Sequence, residues 1–175
     1  MFHWNDIHNC EDRAEAIAIL LTEWKIPHAK AWVFSSYFLR KGWGSLHNLW
    51  NYHVAVILPV SIGNEIVGFV IDPTHSTELI TIEVWAELIT LNAYSYHFVK
   101  NSHTYIFPNG LITKYNWHGR DRQNFQWTMQ GLTGINGVST IGKAQVAFNK
   151  YQIKRTIAAF TKLKHSNPFH DIFVS

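Results

Sequence analysis

The chain contains a single cysteine, and it stands where a helix is about to begin. In Trp4-Asn5-Asp6-Ile7-His8-Asn9-Cys10-Glu11-Asp12-Arg13, the sulfur precedes a run whose apolar residues recur at helical spacing. Unpaired N–H groups and the dipole at a helix start favour thiolate over thiol, and those N–H groups can also hold the oxyanion formed when sulfur attacks a carbonyl. The competing reading is a small buried residue at a helix start. Glu11, Asp12 and Glu15 lean toward it, since like charge opposes thiol ionisation. Further on, His53 opens one apolar run and Asp72 closes the next, with Gly63-Asn64 between them as a hairpin signal. Antiparallel pairing around that turn brings His53 and Asp72 opposite or nearly opposite each other at one end of the hairpin. A carboxylate beside an imidazole fixes its tautomer and stabilises the imidazolium. A thiol nucleophile, an imidazole base and an orienting carboxylate form one candidate set, Cys10, His53 and Asp72. Folding is expected to bring the three into mutual contact at a cleft that solvent reaches.

The elements that must position them follow from pattern. Ala14, Ile17, Ala18, Leu21 and Trp24 share one helical face, so a helix is predicted over residues 10–24. Asn9 serves as its N-cap, accepting a first-turn amide, and Pro27 bars continuation. Residues 29–34 read as a strand with Lys30 near its start. Residues 35–48 form a long connection with Gly42, Gly44, Tyr37, Phe38 and Trp43. A strand from Trp50 to Leu58 stops at Pro59, and Ile66 to Asp72 returns beside it. Ile82, Trp85, Leu88 and Ile89 mark a second helix. Strands are predicted over 94–99 and 104–107, with a turn at Asn109-Gly110 and residues 111–115 beyond it. Residues 117–142 read as loop. Residues 143–164 read as a third helix with Ala147, Tyr151, Ile157 and Phe160 roughly on one side. The tail reads as an edge strand at Ile172-Phe173-Val174. The fold class is α+β, an N-terminal helix packed on an antiparallel β-sheet.

With 175 residues the chain suits one domain with a full core. Its longest apolar run, residues 54–60, is strand length, so no membrane span is expected. No signal-peptide pattern follows Met1, and one cysteine cannot form an internal disulfide. The net charge of +3 conceals an asymmetry. Residues 1–99 carry five Lys/Arg against ten Asp/Glu, a balance of −5; residues 100–175 carry ten against two, a balance of +8. The basic helix at 143–164, with Lys150, Lys154, Arg155, Lys162 and Lys164, is therefore a candidate for an anionic partner, against the plainer reading of a solvated face. His3, His8, His47 and His53 place no metal-ligand set on one element, so no metal is expected.

The order of Cys10 at a helix start, then Trp50-Asn51-Tyr52-His53-Val54-Ala55, then Val70-Ile71-Asp72-Pro73-Thr74, resembles the bacterial protein glutaminases. These protein-glutamine deamidases are a branch of the papain-like and transglutaminase-like cysteine enzymes. The resemblance covers about residues 8–92, including Arg13-Ala14 and Trp85, and leaves 116–175 as a basic C-terminal extension. It implies a papain/transglutaminase-like fold with Cys10 as nucleophile, His53 as base and Asp72 as orienting acid. The implied reaction, without a cofactor, is hydrolysis of the side-chain amide of protein-bound glutamine. Asn9 stands where the family pattern implies Gly.

The same three residues would serve a transglutaminase, which brings a lysine amine to the second step, or a peptidase, which attacks a main-chain amide in the first. Access to the thioester decides between them, and Trp43, Trp50 and the 35–48 connection are candidates for lining it. Trp4 and Asn9, beside the sulfur, are candidates for holding substrate or oxyanion. A third reading is a non-catalytic basic binding module. The expected partner is a protein with an accessible glutamine. Papain-fold toxin domains that bacteria deliver into other cells also fit a short single-cysteine chain, so the expected place of action is secreted or inside another cell.

Overall fold

The computed structural model describes residues 2, 9–34, 52–90, 96–100, 128–133 and 143–168. Trp4, Trp43, Trp50, the 35–48 connection, the strands expected at 104–107 and 111–115, and the tail strand lie outside these residues. Helix α1 (Cys10–Glu23) is followed by β1 (Ala29–Phe34), β2 (Tyr52–Ile62), β3 (Glu65–Ile71), β4 (Ile80–Thr81), α2 (Ile82–Ile89), β5 (Tyr96–Lys100) and α3 (Lys143–Lys164). The strands form one antiparallel sheet in the order β4-β3-β2-β1-β5. The chain is therefore α+β, as its pattern predicts.

Side chains on β2 alternate between two apolar layers, because successive residues of a strand point to opposite faces. Val54 and Val56 join Trp32 and Phe34 beneath Ala14, Ala18 and Leu21 of α1. Ala55 and Ile57 join Ala31, Val33 and Val70 beneath Ile82, Trp85 and Ile89 of α2. Leu88, expected on that face, is instead exposed. Helix α1 is buried on a second side as well, where Ala16 and Leu20 meet Met129, Leu132 and Phe160. Residues 128–132, expected as loop, are helical and supply two of those side chains. Gly131 lies so close to the Asp12 carboxylate that a Cβ would collide with it. In α3, Phe160 is buried, whereas Tyr151, expected on its apolar side, is exposed. Lys150, Lys154, Arg155 and Lys162 are exposed too, and Lys164 pairs with Glu23 of α1 at 3.1 Å.

Two local details differ from the pattern. Strand β2 does not stop at Pro59 but runs through it, with Pro59 opposite Gly68. Strand β1 has already ended opposite Ile57, so β2 is an edge strand there and tolerates a residue without an N–H. Asn9 is the N-cap position of α1, but its side chain makes no capping hydrogen bond. Its backbone has φ 59° and ψ 42°, the left-handed region, and its carbonyl accepts the Arg13 N–H at 3.2 Å. Asn is among the few residues besides Gly that adopt this conformation readily. At the hairpin, Gly63 supplies the positive φ of 61° that the two-residue turn needs.

Candidate active site

Hairpin register brings His53 and Asp72 together. Val56 pairs with Ile71, so continuing the pairing sets Asp72 across from Ala55. His53 and Ala55 share a face, and His53 therefore meets Asp72 diagonally rather than directly. The separation from His53 Nε2 to Asp72 Oδ2 is 2.7 Å. Both residues are buried.

Two further side chains converge on the same carboxylate oxygen. Trp85 of α2 donates its indole N–H to Asp72 Oδ2 at 2.8 Å, and His75 Nδ1 lies 3.0 Å from it. The other oxygen, Oδ1, accepts the Thr74 N–H at 3.2 Å. The chain after β3 turns sharply at Asp72-Pro73-Thr74-His75, and this turn folds His75 back over the carboxylate. His75 and Trp85 also flank the base, with ring centroids 5.2 and 5.8 Å from that of His53. Burial alone would push the Asp72 carboxyl up. Hydrogen bonds from His53 and His75, the His53 charge and the Trp85 N–H outweigh it and hold Asp72 well below the usual carboxylate range. His53 itself is lowered, because desolvation exceeds the pull of Asp72. At neutral pH the pair is a carboxylate and a neutral imidazole whose Nε2–H is fixed on Asp72. That leaves Nδ1 as the nitrogen able to exchange a proton.

His53, Asp72 and His75 also have ligand atoms close enough to suggest a metal, all within 4.8 Å of one another. The distances argue otherwise. Two ligands on a tetrahedral zinc lie about 3.3 Å apart, given metal–ligand bonds of 2.0–2.1 Å. The imidazole–carboxylate separations here are 2.7 and 3.0 Å, and the Trp85 N–H occupies the same oxygen. That geometry suits protons between nitrogen and oxygen.

Cys10 is the first residue of α1, at the rim of the sheet where β2 begins. It packs against the α1-side layer, half-buried, and the backbone N–H of Val54, the residue after His53, lies near enough to its sulfur to favour the thiolate. The thiol donates to Glu11 Oε2 at 3.4 Å rather than to the His53 ring. His53 points from β2 toward α2, and Cys10 approaches from the α1 side. The expected three-way contact thus divides into an imidazole–carboxylate pair and a thiol one backbone position away. Arg13 acts electrostatically on both, lowering Cys10 and His53 alike. Burial, then the Glu11 charge, push the Cys10 thiol well above its ordinary value.

A model of the glutaminase family, named for glutamine deamidation, matches residues 1–89, slightly more than half of the chain. The chain belongs to the glutaminase family. The matched segment holds α1, the β1–β4 part of the sheet and α2, and with them Cys10, His53, Asp72, His75 and Trp85. Membership marks the chain as an amidohydrolase of the glutamine-deamidating kind. No curated protein and no solved structure matches it. No helix among the described residues is long and apolar enough to cross a membrane.

Two members of the polar cluster escape the sequence pattern. His75 carries one readable signal, since an Asp opening a Pro-containing turn commonly bonds the backbone two residues on and draws the next side chain inward. Trp85 is visible as an apolar helix residue, but its N–H contact with Asp72 depends on how α2 seats on the sheet.

Proposed function

We propose that this chain is a protein-glutamine deamidase working through a thioester on Cys10. One observation carries the reading: in a glutaminase-family chain, Asp72 fixes His53 through Nε2 and so directs Nδ1 to the proton of a nucleophile, while the chain's one thiol lies near the backbone N–H of the adjoining residue. For attack the thiol must turn from Glu11 past Val54 to reach the His53 ring, which faces α2.

With thiol and imidazole both neutral at rest, the base acts during attack rather than through a preformed ion pair. The Cys10 proton passes to His53 Nδ1 as sulfur bonds to the carboxamide carbon of a glutamine side chain. The oxyanion of the tetrahedral intermediate is held by the Cys10 backbone N–H at the start of α1. The imidazolium then protonates the amide nitrogen, the C–N bond breaks, and ammonia leaves a thioester. His53 next takes a proton from water, hydroxide adds to the thioester carbon, and glutamate departs with the thiol restored. Asp72 stabilises the imidazolium in both halves. We place this activity outside the producing cell or inside a cell into which the chain is delivered, in the manner of a toxin or effector.

The test is ammonia release from a glutamine-containing protein, with each Gln-to-Glu conversion mapped by mass spectrometry. Cys10→Ala is expected to abolish both signals. Cleaved peptide bonds, or lysine adducts without free glutamate, would assign the site to a peptidase or a transglutaminase instead.

A further inference from the structure

The side chain that holds the resting thiol is itself held. Glu11 accepts the Cys10 S–H on Oε2, and its Oε1 accepts the phenolic hydroxyl of Tyr52. Tyr52 is the first residue of β2, packed at a tilt against Trp32 and Phe34 with ring centroids 5.7 Å from each. The carboxylate is thus tied to the rigid sheet on one side and to the sulfur on the other. Tyr52 precedes His53 and points to the opposite face, so one strand start carries both the tie and the base.

We propose that Glu11, pinned by Tyr52, is a positioning residue for the nucleophile. In the free protein it keeps Cys10 as S–H and turned away from His53, and it gives up that contact when a substrate carboxamide enters. The carboxamide N–H groups are donors of the kind a carboxylate accepts, so the amide can take the place of the thiol on Glu11 as the thiol turns to the ring. Among the described residues, the charged and titratable groups around the sulfur are Glu11, Asp12 and Arg13 on α1, with Tyr52 and His53 on β2. Lys30 on β1 pairs with Glu15 and also feels the Glu11 charge. Glu11 both touches the thiol and carries a charge that opposes its ionisation. Which substrate triggers release rests on the deamidase reading; the resting contact does not.

The experiment is the pH dependence of Cys10 alkylation by iodoacetamide in the intact chain, followed by mass spectrometry without any substrate. In the wild type the midpoint should lie above that of a free cysteine, about 8.5. Glu11→Gln keeps the size and removes the charge. It should lower the midpoint by about one pH unit, and so raise the labelling rate near neutral pH about tenfold, one unit being a factor of ten. A wild-type midpoint at or below that of free cysteine overturns the proposal even if the variant fails to fold. An unchanged midpoint in a folded Glu11→Gln variant, its melting transition intact, overturns it as well. Because the readout needs no turnover, failed alkylation leaves the deamidase reading standing, and missing ammonia release leaves the resting contact standing.

Discussion

Asp72 receives His53 Nε2 at 2.7 Å from two residues along the hairpin, and the indole of Trp85 closes on the same oxygen at 2.8 Å. A buried carboxylate so surrounded has its lone pairs committed, which fixes the ring it faces. Asp72→Asn should lower kcat/KM for glutamine hydrolysis by a factor on the order of 10⁴, the size seen when an orienting aspartate of a catalytic triad is neutralised. It should also destabilise the fold by about 3 kcal/mol, since the N–H donors then face an amide in place of a charge. Trp85→Phe keeps most of the ring but drops one hydrogen bond to a charged acceptor, worth about 1.5–3 kcal/mol. Urea denaturation of both variants checks the stabilities, and steady-state ammonia release checks the rate.

Acid should weaken the fold in two stages. His53 is lowered in the folded chain, so as pH falls the unfolded chain takes up that proton first. Stability rises with pH wherever the unfolded state binds more protons, so this contribution is complete above about pH 6.5 and is lost below it. Asp72 is lowered too, and its contribution is lost below about pH 4. Melting temperatures between pH 3 and 8 should decline through both windows. In His53→Gln the decline below pH 6.5 should shrink, while the one below pH 4 remains.

Lys30 and Glu15 form a second buried charge pair, joining β1 to α1 away from the polar cluster. Removing one partner strands the other in the core. Lys30→Met should therefore cost about 3–5 kcal/mol. Replacing both, with Lys30→Met and Glu15→Leu, should restore most of that loss, because two apolar residues leave no charge unpaired. Chemical denaturation of the single and double variants measures the difference. A double variant no more stable than Lys30→Met would contradict the pairing.

Local patterns carried much of this architecture. The periodicity of Ala14, Ile17, Ala18 and Leu21 marks α1 to within a residue, and the run from Ala29 to Phe34 is strand β1. Gly63-Asn64 sets a turn that places His53 and Asp72 at one end of the hairpin, and their contact follows from it. Lys30 inside an apolar strand was itself a signal, since a buried ammonium requires a carboxylate, and only the seating of α1 says which one. The Tyr52–Glu11 contact likewise joins residues far apart in sequence. Asn9 could be placed at the helix start from its type, but its left-handed backbone depends on how the preceding chain approaches α1.

Capture of the acyl-enzyme tests the central claim most directly. The protein is mixed with a glutamine-containing peptide, quenched in acid within the first turnover, and its intact mass is read before peptide mapping. The expected result is a peptide adduct on Cys10 that decays to free glutamate product, with neither adduct nor ammonia in Cys10→Ala. Ammonia released by Cys10→Ala at the wild-type rate would contradict it.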